Sequence, residues 1–317
     1  MLELRKPPEG KIAVPGAYDL TNAEYHGDVC DGPSISGSGI VKIIEDGPAV
    51  YWWDSPMNPN AAPREPAPHF DFGTAAHTLL LEPEKVHKNI CIMPSTVLSA
   101  DGGIRSKEAK DMAESARAKG LTVLKPDDWQ KITDMRDALA RHPFVPQFLT
   151  QGMAEVSVIF RDPVTNVWIK TRPDWLPSAS GAYLCDLKTT ADLKSFERGA
   201  FLDWRYDLKA SLMMWGAREV LGLDPKGVLH IVQEKKAPYR VAALALTVTN
   251  DDTRSILMRA RMQARRGIDL FAHCLETGVW PTGYEQPREM EAPGWHRAEI
   301  DRELTAAEVH YDDTYTV

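Results

Sequence analysis

The stretch from Trp168 to Thr190 constrains this chain more than any other. It reads as two strands joined by a turn, with Pro177, Ser178, Ser180 and Gly181 as the turn signals. The first strand ends at Asp174, and the second runs from Ala182 to Lys188. Strand side chains alternate between faces, so Asp186 and Lys188 share one face while Tyr183, Cys185 and Leu187 take the other. A hairpin centred near Ser180 sets Asp174 opposite Asp186 on that shared face. Two carboxylates and an ammonium then meet at one point of a sheet.

Two carboxylates in near contact repel, and one keeps a proton unless a cation lies between them. Mg²⁺ is a hard ion suited to carboxylates, carbonyls and water, and it often takes only one or two protein carboxylates. Lys188 adds a point charge suited to a phosphate oxygen or an attacking water. These are the parts of metal-assisted phosphodiester hydrolysis. A bare Asp-x-Lys is more often an ordinary surface ion pair. Arg172-Pro-Asp174 ahead of it and Lys188-Thr-Thr190 at its end turn the balance.

Arg172-Pro-Asp174 followed by Asp186-Leu-Lys-Thr-Thr190 resembles the PD-(D/E)xK nuclease superfamily. More narrowly, it resembles the RecE-type (exonuclease VIII-like) exonucleases of phages and prophages. Upstream, Phe72-Gly-Thr-Ala-Ala-His77 is similar to that family's Gly-x-x-x-His helix, and downstream Tyr206-Asp-Leu-Lys209 is similar to its Tyr-x-x-Gln helix. The resemblance spans roughly residues 20–297, and four ordered blocks are more specific than any one.

The resemblance implies an α/β fold with a small mixed central sheet flanked by helices. It implies a Mg²⁺-dependent exodeoxyribonuclease, with Mn²⁺ as a substitute, that resects one strand of duplex DNA 5′ to 3′. Asp174 and Asp186 bind metal in this reading, with Glu155, His77 and the Leu187 carbonyl as further ligands, and Lys188 orients the water. Tyr206 and Lys209 face the substrate; lysine stands where the family has glutamine, so a donor-acceptor is replaced by a donor alone. The implied partners are double-stranded DNA ends, a RecT-like single-strand annealing protein and further copies of the chain in a ring. Two rivals stand beside this reading: a structure-specific or single-strand nuclease of the same superfamily, and a catalytically silent DNA-binding module.

From the residues alone, several of these positions read two ways. A lone helical histidine such as His77 is commonly a satisfied core residue, and Glu155 fits equally a strand-end surface glutamate. Trp52 and Trp53 suit base stacking or, more commonly, core or lid packing.

The organisation expected is an irregular arm over 1–33, one nuclease domain over 34–297 and an acidic, disordered tail over 298–317. Ser36 is the expected N-cap of a helix with an Ile40, Ile43, Ile44 stripe, and Asp71 that of the helix bearing His77. Charged amphipathic helices at 105–118 and 126–141 form an insertion over about 104–142. Met153–Phe160 reads as the first strand of the sheet. A helix follows at 206–221, then a hairpin from 228–234 and 239–247, with Gln233 and Glu234 at a strand end. The helix 251–276 carries arginines on two faces, which suit phosphates or plain solvent.

The chain has 317 residues and a formal net charge of −8. That balance argues mildly against non-specific coating of nucleic acid, but leaves room for a local basic channel. No long apolar run or apolar leader core is present. Four scattered cysteines offer neither a zinc motif nor an iron–sulfur cluster, and a reducing cytoplasm is expected, that of a bacterial host if the chain is phage- or prophage-encoded as the resemblance implies.

Overall fold

The structure is a computed structural model that describes residues 3–61, 68–248, 255–287 and 289–306. Two five-stranded sheets organise it, and one long hairpin runs through both. In the first sheet Ser157–Arg161 pairs antiparallel with Trp168–Thr171; in the second Gly152–Ala154 pairs antiparallel with Trp175–Pro177. Ile159↔Lys170 and Met153↔Leu176 lie on one unslipped register, so the same two chain segments pair throughout. The regular strands stop only around Glu155 and Asp174. There Glu155 adopts a left-handed φ of 54°, and its N–H still donates to the Asp174 carbonyl at 3.1 Å. The single strand expected over Met153–Phe160 is therefore two. Likewise the strand expected to end at Asp174 ends at Thr171, and Asp174 stands at the gap before a second strand.

The central strand Tyr183–Thr190 lies between Trp175–Pro177, antiparallel, and Gly227–Glu234, parallel. Cys185 pairs with Trp175, which centres that hairpin on Ser180 and leaves Asp174 across from Asp186. Gly227–Glu234 continues antiparallel into Val241–Thr247 at the edge.

The helix Tyr206–Leu221 packs across the bent hairpin. Its Leu208 and Leu212 are fully buried with Ile35, Ile40, Ile43 and Phe160, while Ala210, Met214 and Ala217 face Val156, Val158 and Leu184. Gly216 lets the helix sit this close: a Cβ there would lie 2.9 Å from Phe160 Cε1 and 3.0 Å from Thr171 Oγ1. The helix Gly37–Glu45 starts at Ser36, whose hydroxyl accepts from the Gly39 N–H. The long helix Ile256–Thr277 buries Leu257, Ala260, Ala264, Ile268, Phe271 and Cys274, an i, i+3/i+4 stripe. Its expected first residues, 251–254, lie outside the described residues.

Residues 1–33, expected as an irregular arm, contribute to the first sheet. Gly16–Tyr18 is buried and pairs antiparallel with Ser157–Ile159. Lys170 Nζ donates to the carbonyls of Tyr25 and Gly27, both at 2.8 Å, and fastens the short helix Asn22–His26 to the sheet. The helix bearing His77 is Pro68–Leu81, so Asp71 lies within it rather than at its cap. Ala75, Ala76 and Leu79 of that helix pack on Leu124 and Ile132 of the insertion, whose helices are Lys107–Ala118 and Pro126–Ala140. Residues 281–317 form a separate unit. It contains the helix Gly294–Ala306, which takes up residues 298–306 of the tail expected to be disordered; the rest of that tail, 307–317, lies outside the described residues. Among the described residues no helix is long and apolar enough to cross a membrane.

Candidate active site

The bend opens the sheet where acidic side chains collect. Asp174 sits in the gap between its two strands and is 8% exposed; its Oδ2 accepts the Leu187 N–H at 2.5 Å. Asp186 projects from the middle of the central strand and is 6% exposed. Lys188, two residues on and on the same face, bridges them: its Nζ lies 2.7 Å from Asp186 Oδ1 and 3.5 Å from Asp174 Oδ2. The same ammonium donates to the Leu187 carbonyl at 3.0 Å. From the other side His77 brings Nδ1 to 3.4 Å from Glu155 Oε1 and 3.7 Å from Asp174 Oδ2. Glu155 is also the residue whose backbone is left-handed, at a φ of 54°. Such a backbone state is unusual for a residue other than glycine, and it tends to mark a site that requires it.

The electrostatics separate the two aspartates. Burial pushes the Asp174 carboxyl up, to about 6, against the pull of Lys188 and His77, and repulsion from Asp186 and Glu155 adds to it. Burial works in the same sense on Asp186, but the Lys188 charge and a hydrogen bond from His230 outweigh it and hold that carboxyl well below the usual range. Lys188 loses solvation on burial, yet Asp174 and Asp186 more than compensate and keep it protonated. For His77 burial is likewise outweighed, by Asp174 and Glu155, and its pKa rises. A buried carboxyl whose pKa is raised beside other acids marks a candidate functional site.

The donor set answers that description. His77, Glu155 and Asp174 each offer one ligand atom, all within 4.8 Å of one another. Two carboxylates and an imidazole suit Mn²⁺ well, and the carboxylates suit Mg²⁺. Asp186 stands outside this group of three; its two oxygens are taken by Lys188 and by His230, whose Nδ1 lies 3.0 Å from Oδ2. Tyr206 closes the floor. Its ring lies 5.3 Å from that of His230, 5.7 Å from Lys188 Nζ and 4.9 Å from Lys209 Nζ. Burial and the neighbouring Lys188 charge both depress the Lys209 pKa. Thus Glu155, His77, Asp174, Asp186, Leu187, Lys188, Tyr206 and Lys209 form one connected group.

His230 was not singled out by the sequence. It faces Asp186 because the parallel strands register Asp186↔His230, and a parallel register depends on the crossover between them. One local signal exists: His230 is flanked at i±2 by Val228 and Val232, both 0% exposed. Other candidates turn out structural. Gln233 donates to the Met135 carbonyl, and Glu234 binds Arg240 and the Leu193 N–H. Arg261 stacks on Trp215 at 3.4 Å, and Arg265 pairs with Asp162 and Asp269. Trp52 stacks on Trp280 at 4.4 Å, while Trp53 is 72% exposed. Arg172, in the Arg-Pro-Asp motif, lies over the Tyr25 ring at 4.1 Å and donates to Ser157.

A bent hairpin with Asp174 at its break, an adjoining strand carrying Asp186 and Lys188, and flanking helices define a PD-(D/E)xK-type nuclease fold. The chain belongs to the family described as PDDEXK-like domain of unknown function (DUF3799), whose profile matches residues 56–290. A crystal structure from Eubacterium rectale, named "Putative exonuclease", shares the fold with a TM-score of 0.53 at 13% identity, over 87% of this chain and 96% of that one. No curated protein matches the chain by sequence.

Proposed function

We propose that the protein is a divalent-metal-dependent deoxyribonuclease that degrades linear duplex DNA from its ends, 5′ to 3′, leaving 3′ single-stranded tails. The observation that carries it is the meeting of Asp174, Asp186 and Lys188 beside the His77, Glu155, Asp174 donor group. The family and the name of the E. rectale protein favour the same class.

His77, Glu155 and Asp174 would hold the cation, with Asp186 and the Leu187 carbonyl beside it. A divalent cation in such a place supplies charge neutralisation on a phosphoryl oxygen and acidification of water. The chain's own groups do the rest. Lys188 lies within ion-pair distance of both aspartates and would act as a cation there. It orients the attacking water and stabilises charge on the phosphorane. Lys209, held over Tyr206, supplies a second positive charge for the phosphate. A ring of identical subunits encloses the duplex, and a RecT-like annealing protein takes the 3′ tail.

The test is digestion of 5′- and 3′-labelled linear, nicked and single-stranded DNA with and without Mg²⁺. Early loss of the 5′ label from linear duplex is expected, and Asp186→Ala abolishes it. Cleavage confined to single strands or to junctions transfers the assignment to the alternative nuclease class. Undiminished activity in the Asp186→Ala protein removes the mechanism.

A further inference from the structure

The geometry points to His230 as a positioning residue that fixes the orientation of Asp186 for metal-dependent cleavage. This inference rests on the nuclease reading and adds a residue to that site.

His230 is 4% exposed, in a strand whose same-face neighbours Val228 and Val232 are fully buried. Burying an imidazole between two valines costs free energy that an aliphatic side chain would not. The compensation is one hydrogen bond, between Nδ1 and Asp186 Oδ2 at 3.0 Å; Nε2 is buried without a partner. A carboxylate only accepts, so Nδ1 must carry the proton. The opposite tautomer would set a lone pair against a carboxylate and strand a buried N–H, which is the costlier arrangement. The Asp186 oxygens are thereby divided: Oδ2 is held by His230 and Oδ1 by Lys188. Because the parallel register sets Asp186 beside His230, the brace is built into the backbone. Without it Lys188 alone holds Asp186, and the carboxylate is free to rotate out of its place beside Asp174. Losing a hydrogen-bond partner of a metal-site carboxylate typically costs about 10- to 100-fold in metal affinity or activity.

The chemistry separates the variants. Asparagine can place its amide N–H where Nδ1 stands, glutamine cannot, and leucine fills the volume without a donor. His230→Leu and His230→Gln should lower kcat about 10- to 100-fold with the KM for DNA unchanged, and raise the Mn²⁺ midpoint, read by calorimetry without DNA, by a similar factor. His230→Asn should recover most of both. A wild-type Mn²⁺ midpoint in the leucine or glutamine protein overturns the proposal, as does failure of asparagine to outperform glutamine. Wild-type protein labelled with ¹⁵N-histidine gives a second reading that needs no variant to fold. A protonated Nδ1 whose signal moves on Mg²⁺ addition supports the role, and an unprotonated Nδ1 ends it. If the unaltered protein neither binds metal nor cleaves DNA, the nuclease reading itself falls, a different outcome from a wild-type-like His230→Leu.

Discussion

At the residue scale, Asp174 is a carboxyl buried beside other acids. Its folded pKa, about 6, lies above the ordinary carboxylate value. For an acid raised on folding, the cost of ionisation is absent at low pH and grows as pH rises toward and past the folded value. Metal-free protein therefore loses Asp174's contribution as pH climbs from about 4 to 7. Asp186 has the opposite sign: its lowered pKa supplies stability above the usual carboxylate range that is lost as pH falls. Asp174→Asn keeps an oxygen for the Leu187 N–H and removes the charge. In chelator at pH 7.5 that variant should be more stable than the parent, by on the order of 2 kcal/mol, with the gap closing near pH 4.5. Adding Mn²⁺ should reverse the order, since only the parent gains a bound ion. Urea melts at the two pH values check this, and a destabilised Asp174→Asn protein at pH 7.5 without metal refutes it.

At the element scale, the bent hairpin and the helix Tyr206–Leu221 hold the site's shape together. Gly216 stands where that helix meets Phe160, Thr171 and Val158. On an isolated helix, alanine for glycine gains about 1 kcal/mol. In place, its methyl meets three side chains at 2.9–3.2 Å, and such overpacking costs about 1–3 kcal/mol. Gly216→Ala should therefore destabilise by about 1 kcal/mol despite the better propensity, measured as a lower urea midpoint with an unchanged slope. The same helix shows what a sequence can and cannot reveal. Its limits, Tyr206 and Leu221, are marked by periodicity and by Gly222 in a left-handed C-cap, so they are legible. The opposition of Asp174 and Asp186 is equally legible, because a short hairpin ties its register to its turn. The break at Glu155 is not, because a left-handed glutamate leaves no local mark and is imposed by the two sheets it joins. His230 escapes for the related reason that no turn sets a parallel register.

At the scale of the whole molecule, charge poses the question that the site answers. The chain carries 45 acids against 37 lysines and arginines. Glu155, Asp174 and Asp186 are concentrated in one group, and Lys188 and Lys209 beside it share one tyrosine ring. Arg261 and Arg265, on the helix that looked basic in sequence, are taken up by Trp215 and by Asp162 and Asp269. A protein so charged gains little from counterion release, so on the proposed nuclease reading its attraction for DNA would depend on a cation at the acids. In chelator, duplex binding should be weak. Ca²⁺, a hard oxygen-seeking ion, should tighten it by about tenfold or more without requiring turnover. The dependence on monovalent salt should be shallow, the mark of few phosphate contacts. Asp174→Asn should lose most of the Ca²⁺ gain while keeping the weak metal-free affinity. Fluorescence anisotropy with a labelled duplex measures all of these. Tight binding in chelator with a steep salt slope would instead place the DNA on a basic surface remote from the acids, and would uncouple substrate capture from the metal.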